Sequence, residues 1–274
     1  MSSLKVESVV ITPDVARQML ERNTGNRNIR PAHVKSLAGA MSRGEWEVSH
    51  QGIAFGDDGK LVDGQHRLAA VIASGVSIKT VVFYGLSGSS FAVMDQGKPR
   101  SVADIFGVNK RVAEVARLAA VIHNRIDGTR RATPKQCEPY LRLVEPYHEL
   151  LVEASGARSK YFASAPSRLA AILHLMNDFD GAARVLNLYR ALVQCDVPSL
   201  PPVGAAILRQ VVTNHARTGG TTLQMDCLAR MIIVFTESAA DNSKVQISQD
   251  FIKKKVEWAY SIIDGEIGKA NDGV

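Results

Sequence analysis

One short segment gathers more chemistry than any other: Asp63-Gly64-Gln65-His66-Arg67-Leu68 sets an acid, a glycine, an amide, an imidazole and a guanidinium side by side. The residues before it read as a strand and those after it as a helix, so the polar groups fall at a helix N-terminus. There the first N–H groups lack partners within the helix and the helix dipole is positive, which suits an anion, phosphate above all. Gly64 admits close backbone approach, Arg67 offers bidentate contacts to phosphate oxygens, and His66 can donate a hydrogen bond or move a proton near neutral pH. Asp63 would repel a bare phosphate; it suits holding Arg67 or His66, or binding Mg²⁺ beside a nucleotide. The plain alternative is that Asp63 caps a helix, Gly64 makes a turn, and His66 and Arg67 are solvated.

Other candidates are weaker. Arg27, Arg30 and His33 surround the start of a helix opened by Pro31, a second place for phosphate. Lys98, Arg100 and Ser101 precede another helix start, where Ser101 and Asp104 have capping-box spacing. Asp57, Asp58 and Asp63 would make a metal cluster for phosphodiester hydrolysis, but Asp57-Asp58-Gly59 reads first as a hairpin turn. The basic loop from Arg125 to Lys135 allows a helix-turn-helix reading, with Thr133 as N-cap, Lys135, Gln136 and Arg142 toward DNA, and Arg130 and Arg131 on phosphates. Lys253-Lys254-Lys255, on a helix with Phe251, Val256 and Trp258, reads as a solvated face. No P-loop, dinucleotide fingerprint or H-E-x-x-H occurs in the sequence.

The elements that must position these residues fall into two groups. Thr12-Pro13 opens a helix to about Glu21, and Pro31 opens another that stops at Gly44. A hairpin, Gly52–Gly56 then Lys60–Asp63, precedes the helix from Gln65 to Ser74, with Gly75 as its C-cap, and Val76–Tyr84 is strand-like. From Lys110 the pattern is helical over 110–126, 134–153, 166–177, 181–194, 202–217, 221–239 and 248–263, with the tail from Asp264 expected to fray. Stripes such as Val203, Ile207, Leu208, Val211 and Leu228, Met231, Ile232, Phe235 read as core. The expected architecture is α+β: a mixed domain over 1–108 and an all-helical domain over 109–274.

At the polar segment the chain resembles a known family. Asn28-Ile29-Arg30-Pro31, the helix to Met41 with Gly44-Glu45-Trp46, and Leu61 through Ala70 are similar to the ParB/sulfiredoxin-like N-terminal domain, in the DGQHR-containing form common in phages and other mobile elements. Asp95 through Ser101 resembles a following element, so the likeness covers under half the chain. It implies a strand–turn–helix that holds nucleotide phosphates. On the residues themselves, Gly64, Gln65, His66, Arg67, Arg30, Arg100 and Ser101 are the candidate binding residues; for a hydrolase, the candidate catalytic residues are Arg67 as phosphate stabiliser, His66 as proton donor or acceptor, and Asp63 as orienter or ligand to Mg²⁺. Members include CTP-hydrolysing DNA-partition clamps, ATP-dependent sulfinic-acid reductases, small-molecule kinases and nucleases, so the resemblance implies nucleotide phosphate more strongly than any one reaction. Gln65 stands where sulfiredoxins carry their catalytic cysteine, and no cysteine precedes Cys137, which argues against sulfinic-acid reduction. Partition proteins carry Glu-Arg-Arg where this chain has Gln65-His66-Arg67.

Composition sets the outer bounds. With 274 residues, 46% hydrophobic and 22% charged, the chain can bury a large core or two modest ones and is not a disordered tail. The net charge of +6 divides as +3 over residues 1–110 and +3 over residues 111–274, so a basic surface must be assembled by folding. Cys137, Cys195 and Cys227 are too few and too scattered for a disulfide scaffold or zinc ribbon, and no run of about 18 apolar residues suggests a membrane span. The start lacks a signal-peptide pattern, so a cytoplasmic protein is expected. The functional expectation is a protein that binds a nucleoside triphosphate, ATP or CTP, and acts on or along DNA, with NTP hydrolysis or nuclease action as the candidate reaction and a homodimer as the candidate assembly. The alternatives are a non-catalytic DNA-binding or regulatory module of a phage or mobile element, and a kinase for a small molecule or modified base.

Overall fold

The structure is a computed structural model that describes residues 4–24, 26, 28–87, 101–126, 132–152, 159–214, 219–236 and 247–272. The fold is mixed α+β and divides into two compact units, Met1–Pro99 and Arg100–Val274. The division falls before the expected one near Gly107, because Val102, Ala103, Phe106 and Val108 pack against the core of the helical unit.

The first unit runs β1 (Lys5–Ile11), α1 (Pro13–Leu20), α2 (Pro31–Ser42), β2 (Ile53–Gly56), β3 (Leu61–Asp63), α3 (Gln65–Ser74) and β4 (Ile78–Leu86). Its sheet has the order β1-β4-β2-β3, with β4 antiparallel to β1 and parallel to β2, and β2 antiparallel to β3. Local chemistry explains most boundaries. The Thr12 hydroxyl accepts from Val15 N at 3.3 Å with Pro13 at the first helical position, Pro31 opens α2, and Gly75 closes α3 at φ 70°. Ile11, Met41, Ile53, Phe55, Leu61 and Leu68 form the centre of the core, joining the sheet to the helices. Trp46 packs against this core and donates its indole N–H to Lys79 O at 3.0 Å. Among the described elements of this unit, strand β1 is the one that the periodicity does not suggest. Only Ile11 of it is fully buried, so the apolar signal of a half-covered edge strand is diluted.

In the second unit the described residues form only helices: α4 (Val102–Phe106), α5 (Lys110–His123), α6 (Pro134–Val152), α7 (Ala165–Asn177), α8 (Ala182–Gln194), a 3₁₀ turn at Val197–Ser199, α9 (Pro202–Thr213), α10 (Thr221–Phe235) and α11 (Gln249–Asp272). Both expected apolar stripes, on α9 and α10, are buried. Helix α6 runs unbroken through Pro139 and Pro146, and Thr133 and Gln136 cap its start reciprocally, at 3.2 Å and 3.0 Å. Helix α11 continues past Asp264, where fraying was expected. Ile263 is buried, Ile267 packs on the core, Asp264 meets His123 Nε2 at 3.0 Å, and Gly265 and Gly268 lie where nothing crowds them. No helix among the described residues is long and apolar enough to cross a membrane.

Candidate functional site

Strand β3 ends at Asp63 and α3 begins at Gln65, so the polar segment occupies the turn between them. Gly64 is the N-cap at φ 106°, a left-handed conformation that L side chains rarely adopt, and a Cβ there would come within 3.0–3.3 Å of Ile53. Glycine is therefore required by both conformation and space. A glycine N-cap also brings no side chain to the helix start, and α3 has no side-chain cap.

Around that turn the charged side chains brace the backbone. Asp63 Oδ1 accepts from Gly64 N at 2.7 Å and Oδ2 from Arg67 Nη2 at 2.6 Å. The same Nη2 donates to Gly52 O at 2.6 Å, tying α3 to the entry of β2. Gly52 has its own steric reason, since a Cβ there would lie 2.1 Å from Val81 O on neighbouring β4. The Arg67 side chain is only 16% exposed, and its buried Nε–H has no acceptor. A fixed cation with one donor unmet thus sits in the first turn of α3, where the helix dipole is already positive.

Two further connections hold the turn. Gln65 is buried, and its Oε1 accepts from Asn23 Nδ2 at 3.0 Å; Asn26 Nδ2 in turn donates to Asn23 Oδ1 at 2.7 Å and to Leu61 O at 2.6 Å. Asn23 and Asn26 therefore form an amide ladder onto Gln65 at the start of α3, and its signal in the sequence was the density of Asn, which carries donor and acceptor together. His66 Nε2 accepts from the Arg30 backbone N–H at 3.0 Å, and the His33 and His66 rings meet edge to face with centroids 5.0 Å apart. An Nε2 that accepts is unprotonated, so His66 acts here as a neutral ring joining α2 to α3.

The structure thus brings Asp63, Gly64, Gln65, His66, Arg67 and Arg30 together. Arg30 contributes its amide, and its side chain makes no cap of α2. Ser101 belongs to the other unit and forms the capping box of α4: its hydroxyl accepts from Asp104 N at 3.2 Å and its N–H donates to Asp104 Oδ2 at 2.9 Å. Arg27, Lys98, Arg100, Arg130 and Arg131 lie outside the described residues. Lys135 and Arg142 of the helix-turn-helix reading are exposed on α6, while Arg125 pairs with Glu257 at 2.8 Å and 2.9 Å and lies 4.5 Å from the Tyr260 ring centroid.

Asp57 and Asp58 form a hairpin turn. Gly56 N donates to Lys60 O at 2.9 Å, and Asp58 Oδ2 pairs with Lys60 Nζ at 2.8 Å, which lowers the Asp58 pKa. No group of three or more His, Cys, Asp or Glu suited to a metal ion occurs among the described residues. Asp63, the acid expected to hold Mg²⁺, has both carboxylate oxygens engaged, Oδ1 by Gly64 N and Oδ2 by Arg67 Nη2. All three cysteines are free, and burial pushes the Cys137 and Cys227 thiols up to about 11 and about 12, away from reactivity.

No family model, curated protein or solved structure matches the chain.

Proposed function

We propose that the first unit is a ParB/sulfiredoxin-like domain that binds a nucleoside triphosphate, ATP or CTP, through its phosphates at the start of α3, and that the protein acts on or along DNA. The observation that carries the reading is Arg67: a guanidinium held in the first turn of an α-helix by Asp63 and Gly52 O, with a buried Nε–H that meets no acceptor. Phosphate oxygens supply what the turn lacks, an acceptor that is also an anion at the positive end of a helix. Gly64 lets them approach the backbone. Asp63 orients Arg67 and stands beside the site as the ligand for Mg²⁺ carried by the nucleotide.

His66 bears on whether the bound nucleotide is hydrolysed. Its Nε2 is engaged by Arg30 N–H, so accepting a proton there requires that bond to break and α2 to release α3. This favours a second reading, in which the pocket holds its ligand as a switch and the nucleotide alters how α2 and α3 are joined.

The test is equilibrium binding of ATP, CTP and GTP, with Mg²⁺, to the wild-type chain and to Arg67→Met, with phosphate release and duplex-DNA binding followed in parallel. At least one nucleotide binds, and Arg67→Met weakens it at least roughly tenfold. Absence of binding by any nucleotide to the folded wild type refutes the reading. Binding without phosphate release, even with DNA present, selects the switch.

A further inference from the structure

The helical unit contains a cavity of about 300 Å³ that the site on α3 does not involve. It lies among α7, α8, α10 and α11 and is lined by His174, Asp178, Arg184, Lys255 and Trp258, with Val185 and Ile232 as apolar wall. The lysine run read as a solvated face divides here: Lys253 and Lys254 are exposed, whereas Lys255 turns inward far enough that burial lowers its pKa.

Two cations face this space, and neither pairs with a carboxylate among the described residues. Arg184 donates from Nη2 to Phe235 O, and its buried Nε–H has no acceptor. Lys255 Nζ lies 5.7 Å from the Phe251 ring centroid and makes no hydrogen bond to the carbonyls ending α10. Those carbonyls are engaged elsewhere: Ile232 O accepts from His174 Nε2 at 3.0 Å and from Thr236 Oγ1 at 2.8 Å. The ammonium is therefore not explained as a helix cap. Among the described residues lining the cavity, the one carboxylate is Asp178, which accepts from Gly181 N at 3.3 Å.

The rest of the wall is flat and aromatic. The His174 ring lies 4.9 Å from Trp258, tilted by 37°, with Phe235 on another side at 6.0 Å. Burial pushes the His174 pKa down to about 4, assisted by Arg184 and Lys255. The ring is neutral at pH 7, and both cations lie within its electrostatic reach. A space of this size is at the lower end for small-molecule sites and suits one ring with a short head group.

We propose that this cavity binds a small anion carrying a flat ring, with its carboxylate or phosphate head taken by Arg184 and Lys255 and its ring set against Trp258. The anion neutralises two partly buried cations and gives the Arg184 Nε–H an acceptor, and the ring covers the indole face.

Trp258 reports on the site, because the only other tryptophan, Trp46, lies in the other unit. The full chain carrying Trp46→Phe is titrated with phenyl phosphate, benzoate, cyclohexanecarboxylate and inorganic phosphate, following Trp258 fluorescence, with calorimetry on the wild type as a check. Phenyl phosphate or benzoate gives a saturable change, and the tighter of the two assigns the head group. Inorganic phosphate and cyclohexanecarboxylate bind at least tenfold more weakly than their ring counterparts. Lys255→Met, with its melting temperature unchanged, weakens binding at least tenfold. The proposal is overturned if neither ring anion saturates, if Lys255→Met binds as the parent does, or if inorganic phosphate equals phenyl phosphate.

Discussion

The first turn of α3 and the cavity of the helical unit use similar groups, an Asp, an Arg and a His, in opposite circumstances. At the turn, Asp63 at the end of β3 pairs with Arg67 in the first turn of α3, leaving only the Arg67 Nε–H unmet, and His66 takes a backbone N–H. In the cavity, Asp178 and Arg184 are not paired, Lys255 pairs with no carboxylate among the described residues, and His174 is held neutral by burial. The turn is a braced backbone whose side chains are largely engaged. The cavity holds charge that the described residues do not balance. The difference teaches that a dense polar motif can be mainly architecture, while scattered charges of no evident pattern can leave a larger unmet electrostatic demand.

The two units can be broken separately, each read by its own tryptophan. The largest effect is expected from Gly52→Ala. Its Cβ would overlap Val81 O, so β2 and β4 must separate, at a cost of about 3 kcal/mol or more. Chemical denaturation read through Trp46, in Trp258→Phe protein, moves to lower denaturant, while the transition read through Trp258 stays in place.

Acid acts on the other unit. The folded pKa of His174 is depressed from 6.5 to about 4, so the unfolded chain binds its proton first and stability falls as pH drops through that window. The contribution is fully present above about pH 6.5 and amounts to roughly 3 kcal/mol when lost. His148, buried on α6 with Nδ1 unpartnered and its pKa also pushed down to about 4 by burial, acts in the same direction. Denaturation followed at Trp258 between pH 7 and pH 4 shows the loss, and His174→Gln reduces its slope.

Third comes the brace. Arg67→Met removes bonds to Asp63 and Gly52 O and lowers the stability of the first unit by about 2 kcal/mol, measured as the shift in the Trp46 transition. Ser101→Ala gives the smallest change, about 1 kcal/mol from the capping box of α4, and it appears in the helical unit.

Local chemistry was legible wherever cause and effect are close in sequence. Thr12-Pro13, the hairpin turn at Asp57–Gly59, the Gly64 junction, Gly75 and the Ser101–Asp104 box all act within about one turn, and their residue types declare them. Long-range partners were hidden. Nothing near Arg67 shows that it would reach back to Gly52 O, nor that Asn23 and Asn26 would ladder onto Gln65, because sheet order decides both. The cavity was hidden for the same reason, since Arg184 on α8 and Lys255 on α11 are separated by α9 and α10. Lys255 is distinguished from Lys253 and Lys254 only by the face of α11 that packs inward.

The central claim, that phosphate is held at the start of α3, meets its most direct test in backbone hydrogen exchange of the wild-type chain with and without saturating ATP or CTP and Mg²⁺. The account predicts slowed exchange at the amides of Gln65, His66 and Arg67, and no such slowing in Arg67→Met at the same nucleotide concentration. Nucleotide binding that leaves those three amides unchanged and slows exchange elsewhere contradicts it.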